Sequence, residues 1–206
     1  MSNLKTDGVK KAAAVSPIKR QKDLKKIYSY LKGDNLRNFA VFVVGVNVLL
    51  RAGDLLSLKW PDILDEELTI KNRIYITEEK TKKRREVRFN EDAKYALQLY
   101  KDSLARINTQ GYVFKSRKGH GPITVKTLHR IITETCKELG VKGNFGTHTL
   151  RKTGAYFIYI NNVVDNPTII AYLQKILNHS SQATTLRYIG IESEEIDDIF
   201  ENLKLF

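Results

Sequence analysis

The stretch LRNFAVFVVGVNVLL, residues 36 to 50, limits the fold of this chain more than any other. From Phe39 to Leu50 only Gly45 and Asn47 interrupt the apolar residues. A helix that is apolar on every side belongs either at the centre of a core or in a membrane. This run is too short to cross a bilayer. The spacing therefore predicts a buried helix from about Leu36 to Leu49, entered by a turn at Gly33-Asp34-Asn35. With 206 residues, 42% hydrophobic and 28% charged, the chain has the length and balance for one good core.

The other segments supply the layers around that helix. "SPIKRQKDLKKIYSYL" starts with Ser16 as a cap and Pro17 at the first helical position, and Leu24, Ile27, Tyr28 and Leu31 keep helical spacing. "RAGDLLSLKW" predicts a short helix ending near Trp60-Pro61. "LTI", "RIYIT" and "REVRF" alternate or are β-branched, and "EEKTKKR" reads as the charged hairpin turn between the last two. Asn90 caps a helix to about Leu104, and Thr124 caps another to Leu139, which Gly140 ends. A helix follows from about Thr147, and an apolar one runs from beyond Pro167 to Leu177. The fold class is α+β, mainly helical, with a small antiparallel sheet at one edge.

Charge points to the partner. The net is +12, yet residues 191–206 hold six acidic side chains and one lysine, which leaves +17 on the rest. Such an excess favours a polyanion, and no basic amphipathic helix suits a membrane surface. The single cysteine, Cys136, excludes an internal disulfide and lies in a helical pattern where a buried, inert thiol is expected. There is no secretory h-region, so the cytoplasm is the expected compartment.

In "FGTHTLRKTGAYFIYI" a histidine and an arginine share one face, because positions three apart are helical neighbours. His148, Arg151 and Ala155 fall together, with Leu150, Gly154, Phe157 and Ile158 opposite. The apolar side suits a core, which leaves imidazole and guanidinium for a ligand. Acidic residues show no metal-binding spacing, the pair His148 and His179 lacks further ligands, and no Gly-rich phosphate loop is present. No metal and no cofactor is expected. Phosphoryl transfer without metal needs fixed cations on the non-bridging oxygens, a nucleophile, a base and an acid for the leaving oxygen. Arginine meets the first need with a planar fork that keeps its proton.

"LLRAGDLLSLKWPDI", "THTLRKT" and "ILNHSSQATTLRYIGI" resemble, in order and spacing, the three signature boxes of the tyrosine recombinases, or phage integrases. The resemblance covers about residues 17–190, the family's catalytic domain. It implies that Arg51 and Arg151 grip the scissile phosphate and that His148 is the base or proton shuttle. His179 would donate to a phosphate oxygen, and Tyr188 would attack phosphorus to form a 3′-phosphotyrosine. Lys80 aligns with the hairpin lysine that protonates the leaving 5′ oxygen, although Lys82 and Lys83 share its turn. Tyr28, Tyr95 and Tyr100 sit at helical spacings that suit packing, whereas Tyr188 follows a polar stretch that suggests a movable segment. Asp54, three after Arg51, is placed to orient that guanidinium.

Three positions depart from the family's pattern. Leu49 and Asn178 replace glycines, and Lys152 stands where a second histidine often follows the arginine. The implied partners are double-stranded DNA and further copies of the chain, assembled as a tetramer on DNA. Alternatives are a type IB topoisomerase-like nicking-closing enzyme and a non-cleaving DNA-binding regulator of the same fold. Residues 1–16 read as a basic, mobile arm. Many integrases carry a core-binding domain where this sequence has about 16 residues, so either a compact recombinase or one without that part is expected, with modest and salt-sensitive affinity for an isolated site. Residues 191–206 read as an acidic amphipathic helix with Ile196, Ile199, Phe200 and Leu203 in one stripe. It is too short to stand alone, and the resemblance implies exchange between protomers, with docking on its own domain as the alternative.

Overall fold

The computed structural model describes residues 14–191. Residues 1–13 of the basic arm and the acidic helix expected after Ile191 lie outside the described residues. The elements run α1 (Gln21–Asp34), α2 (Leu36–Val48), α3 (Ala52–Leu56), α4 (Trp60–Ile63), β1 (Arg73–Thr77), β2 (Arg84–Arg88), α5 (Glu91–Asp102), α6 (Val125–Glu138), α7 (Thr147–Asn162), α8 (Ile169–Leu177) and α9 (Gln182–Ile189). No helix among the described residues is long and apolar enough to cross a membrane.

The apolar run forms α2, capped by Asn35, whose side chain accepts from the Asn38 N–H. Seven consecutive residues, Phe39 to Gly45, are buried, and α1, α3, α5 and α7 pack around them. Helices α2 and α7 cross at two glycines. A Cβ on Gly154 would overlap the Val46 carbonyl oxygen, and one on Gly45 would lie 2.5 Å from Leu150 Cδ1. The backbones therefore meet without side chains between them.

A second, smaller cluster lies across α7. Leu49, Ala155, Leu173, Leu177 and Ile189 form it, with Tyr156, Leu186 and Tyr188 against it. The face of α7 that carries Arg151 and Ala155 is thus buried under α8 and α9, not solvated. Leu150 and Gly154 pack on α2 as the wheel implied.

Strands β1 and β2 pair antiparallel, Ile74 opposite Val87 and Ile76 opposite Arg85. "LTI" adds no third strand. Its contribution is one bridge between Leu64 and Ile70, because the chain turns at Asp65–Thr69 with Leu68 left-handed. Trp60-Pro61 opens α4 and does not end α3, which suits proline in a first helical turn.

Helix α1 begins at Gln21, and Ser16 does not cap it. Residues 14–20 instead form an extended strap along α7. Ser16 N–H donates to Asn144 O (2.7 Å), Ile18 N–H to Thr153 Oγ1 (2.8 Å), and Thr149 Oγ1 to Ser16 O (3.0 Å). Burial of Ile18 and these long-range bonds outweigh a local helix start. Tyr28 meets Phe39 edge-on at 4.8 Å and Tyr100 is buried, whereas Tyr95 is exposed beneath the Lys32 ammonium. Cys136 is buried, and burial pushes its thiol up to about 11.

Candidate active site

Arg51 leaves the C-terminus of α2 in an extended conformation, two residues after Leu49 turns left-handed at φ 54°. Its Nη1 lies 2.8 Å from Glu78 Oε2 as an ion pair. Glu78, at the end of β1, also faces Arg85 Nη1 at 3.4 Å and accepts from Thr81 Oγ1 at 2.8 Å. Arg85 in turn donates to the carbonyls of Leu49 and Val48, both at 3.1 Å. The hairpin is thereby clamped to the segment that aims Arg51. The Glu78 carboxyl is held below its ordinary value: burial alone would raise it, but Thr81 and the two guanidiniums outweigh that.

Arg151 projects from the second turn of α7 into the same space. It is 3% exposed, and its Nη2 donates to Leu177 O at 3.1 Å. Its Nη1 is buried with no hydrogen-bond partner. A buried unpaired guanidinium donor is costly unless an anion completes it. Burial, then the charges of Arg51 and Arg85, pull its pKa down to about 10 against Tyr188 and Glu78, so it stays charged at neutral pH.

His148 stands one turn earlier at the exposed rim. Desolvation lowers its pKa first, followed by Arg151, Lys152, Arg51 and Lys80. His179 follows Asn178, which ends α8 in a left-handed conformation at φ 55°. Its Nδ1 lies 3.1 Å from Thr185 Oγ1, and that hydroxyl gives its one proton to Ser181 O at 3.1 Å. Thr185 therefore accepts from Nδ1–H, and Nε2 is the nitrogen left for the site. Burial, then Arg151 and Arg51, lower the His179 pKa.

Tyr188 sits on α9, not on an irregular segment. Ser181 caps that helix by accepting from Thr184 N–H. The ring meets His179 edge-on at 4.8 Å, and the Lys152 ammonium lies 4.9 Å over it. Burial raises the phenol pKa, while Arg151 and Arg51 oppose that rise. Lys80 is exposed on the hairpin turn and belongs to the charges acting on His148. Lys83 points elsewhere, donating to Asn178 Oδ1 at 3.3 Å, and Lys82 takes a left-handed turn position.

Asp54 does not orient Arg51. Its Oδ1 accepts from Glu79 N–H at 2.9 Å, and Glu78 holds the arginine instead. The sequence reading passed over Glu78, Arg85 and Thr185. The first two carried a signal: Ile74, Ile76 and Glu78 share one parity, as do Arg85 and Val87, and that parity faces inward. Thr185 carried none, because its helix was not expected. Both departures from the family's glycines, Leu49 and Asn178, occupy left-handed positions at helix ends, where glycine is least strained. Among the described residues no group of three or more His, Cys, Asp or Glu side chains could hold a metal ion. The site instead gathers Arg51, Arg85 and Arg151 around the carboxylate of Glu78, with Asp54 close by, an excess of positive charge that suits an anion.

Comparison with known proteins bears on the family and the fold. The phage integrase family model matches residues 19–195. The probable integrase/recombinase YoeC of Bacillus subtilis (strain 168) is 35% identical over 180 residues, covering 87% of this chain and 92% of that protein. The tyrosine recombinase XerC of Caldanaerobacter subterraneus is 26% identical over 163 residues, 78% of this chain and 43% of the relative. The crystal structure of XerA recombinase superposes with a TM-score of 0.69 at 24% identity, over 94% of this chain and 66% of that one. A lambda integrase (75–356) dimer bound to a COC′ core site gives 0.62 at 20% identity, over 88% and 63%. The chain thus spans about two thirds or less of those solved recombinases and under half of that XerC. With a match from the first box through the third, the chain belongs to the phage integrase family, the tyrosine recombinases.

Proposed function

We propose that this protein is a site-specific DNA recombinase that cuts and rejoins strands through a covalent 3′-phosphotyrosine. The carrying observation is the buried, unpartnered Nη1 of Arg151 beside Arg51, with Tyr188 on the helix packed across α7. In this reading the two guanidiniums bind the non-bridging oxygens of a phosphodiester and stabilise the charge of the transition state. Nε2 of His179, once protonated, gives a third hydrogen bond. The Tyr188 oxygen attacks phosphorus, and its proton passes to His148. The P–O5′ bond breaks, and Lys80 supplies the proton that makes the leaving group a 5′-hydroxyl. Rejoining reverses each step, so no external energy source is needed.

Double-stranded DNA is the substrate in this reading, and the charge of the chain supports it. A second basic hollow, lined by Arg37, Arg117, Lys118, Lys126, His129 and Arg130, offers further phosphate contacts. Such a protein works in the cytoplasm, where its DNA is. Four copies would form the synapse, with the acidic helix at 192–206 exchanged between neighbours. Ile160, Val164, Tyr172 and Ile176, exposed on α7, α8 and the link between them, offer an apolar surface for its stripe.

A nicked suicide substrate tests the chemistry. The wild-type chain should form a covalent adduct that persists in EDTA, and Tyr188→Phe should bind the same DNA without forming one. Adducts on another tyrosine would refute the assignment. Deleting residues 192–206 should leave binding to one site intact and remove cooperative binding to two. Full cooperativity in the truncated chain would refute the exchange.

A further inference from the structure

Two carboxylates bind the hairpin turn to the first-box segment, and they do different things. Asp54 accepts the Glu79 N–H and leaves its own neighbour Arg51 alone. Arg51 reaches across to Glu78 at 2.8 Å. The backbone of Glu78 also closes the turn on both sides, donating to Lys83 O at 3.0 Å and accepting from Lys82 N–H at 2.9 Å. Its side chain takes the Thr81 hydroxyl at 2.8 Å. Lys80 lies inside that closed turn. One buried residue is therefore both the frame of the turn that presents Lys80 and the anchor of Arg51.

We propose that Glu78 is a positioning residue for departure of the 5′ oxygen: it holds the Lys80 turn in register with Arg51, so that ammonium and guanidinium address the same phosphate. A mere counter-ion for the arginines would not need to lie in the turn. Asp54, already buried three residues from Arg51 with Oδ2 unpartnered, could have served. Yet the side-chain carboxylate bonds of both acids cross between first box and hairpin, save those that Glu78 makes to Thr81 and Arg85 within the hairpin. The exposed Lys80 makes no hydrogen bond or ion pair of its own among the described residues, so the turn alone sets where its ammonium can reach.

The proposal rests on Lys80 as the acid, and the experiment separates the two. Single-turnover cleavage is measured for the wild type, Lys80→Ala and Glu78→Gln on an ordinary nicked site and on one with sulfur at the 5′-bridging position. A thiolate leaves without a proton, so sulfur bypasses the acid. Each variant is read as its own ratio of sulfur to oxygen rates, which does not depend on how much of it is folded. Glu78→Gln should lose about tenfold or more on oxygen and recover most of it on sulfur, as Lys80→Ala does. Glu78→Asp keeps the charge but shortens the reach, so it should raise the ratio too and replaces Glu78→Gln if that variant does not fold. Equal loss on both substrates for the Glu78 variants, with Lys80→Ala rescued, overturns the positioning role alone. Equal loss for Lys80→Ala removes Lys80 as the acid and takes the proposal with it.

Discussion

The two guanidiniums and the phenol are mounted on very different foundations. Arg51 directly follows α2, which is seated in the main core running from Ile18 to Leu150, and Arg151 lies on α7, which packs along α2. Tyr188 comes from α9, whose apolar residues reach only a cluster of five buried side chains. Local stability follows the buried apolar contacts an element owns, so α8 and α9 should open at lower cost than α2 and α7. In the proposed mechanism, phosphate binding needs a fixed frame, and a nucleophile that must act at a chosen moment gains from a lighter attachment.

The strongest way to break this contrast is at the helix crossing. Gly154→Val places a side chain where Val46 O already is, and should cost more than about 3 kcal/mol, seen as loss of the cooperative thermal transition. A stable, fully active variant would mean the crossing is not rigid. Leu173→Ala sharpens the comparison from the other side. A buried leucine truncation costs about 2–5 kcal/mol where it is felt. Faster hydrogen exchange should appear in α8 and α9, adduct formation should fall, and DNA binding should persist. If exchange rises equally in α2, the two regions form one cooperative unit.

Acidity gives a third, smaller handle. His148 and His179 have pKa values below the ordinary imidazole range in the folded chain, so the unfolded chain takes up protons first as pH falls. The neutral rings are compatible with the fold above that range, and stability is lost as pH drops from the ordinary value through the folded ones. A phosphodiester beside the rings has the opposite sign, favouring the protonated forms. The melting temperature of the free protein should therefore fall between pH 7.5 and 5.5 while DNA affinity at fixed salt rises. His179→Gln should flatten both trends, and unchanged slopes would remove His179 from the anion site.

The smallest effects lie at the two left-handed positions. Asn178→Gly should be neutral or stabilising by up to about 1 kcal/mol in a denaturant titration, since asparagine already tolerates that conformation. Leu49→Gly relieves similar strain but removes a side chain only 3% exposed from the smaller cluster, so it should destabilise on balance. A gain in stability at Leu49 would show that the side chain contributes less than the backbone costs.

Elements whose residues make their own local case are legible in the sequence. Helix α2 is, because nothing else accommodates so apolar a run, and so is the shared face of His148 and Arg151. Helix α9 is not, since Leu186 and Ile189 are too few apolar residues to set a period, and its Ser181 cap reads equally well as loop. The strap at residues 14–20 was misread for a related reason. Ser16-Pro17 is a sound helix start locally, and Asn144, Thr149 and Thr153, far along the chain, draw it into an extended path. Glu78 is hidden among the charges of "EEKTKKR", and only strand parity extended one residue beyond β1 distinguishes it.

The glycine crossing also makes α7 a lever with unequal arms. Gly154 is the pivot, three residues from Arg151 and eight from the end at Asn162. At 1.5 Å of rise per residue these arms are roughly 4.5 and 12 Å. A tilt of about 10° would then shift the Arg151 backbone by less than roughly 1 Å and the far end by about 2 Å. In the proposed assembly, movement at the exposed Ile160 and Val164 end would therefore be large enough for a neighbouring copy to feel, while the proposed grip on phosphate would hardly change.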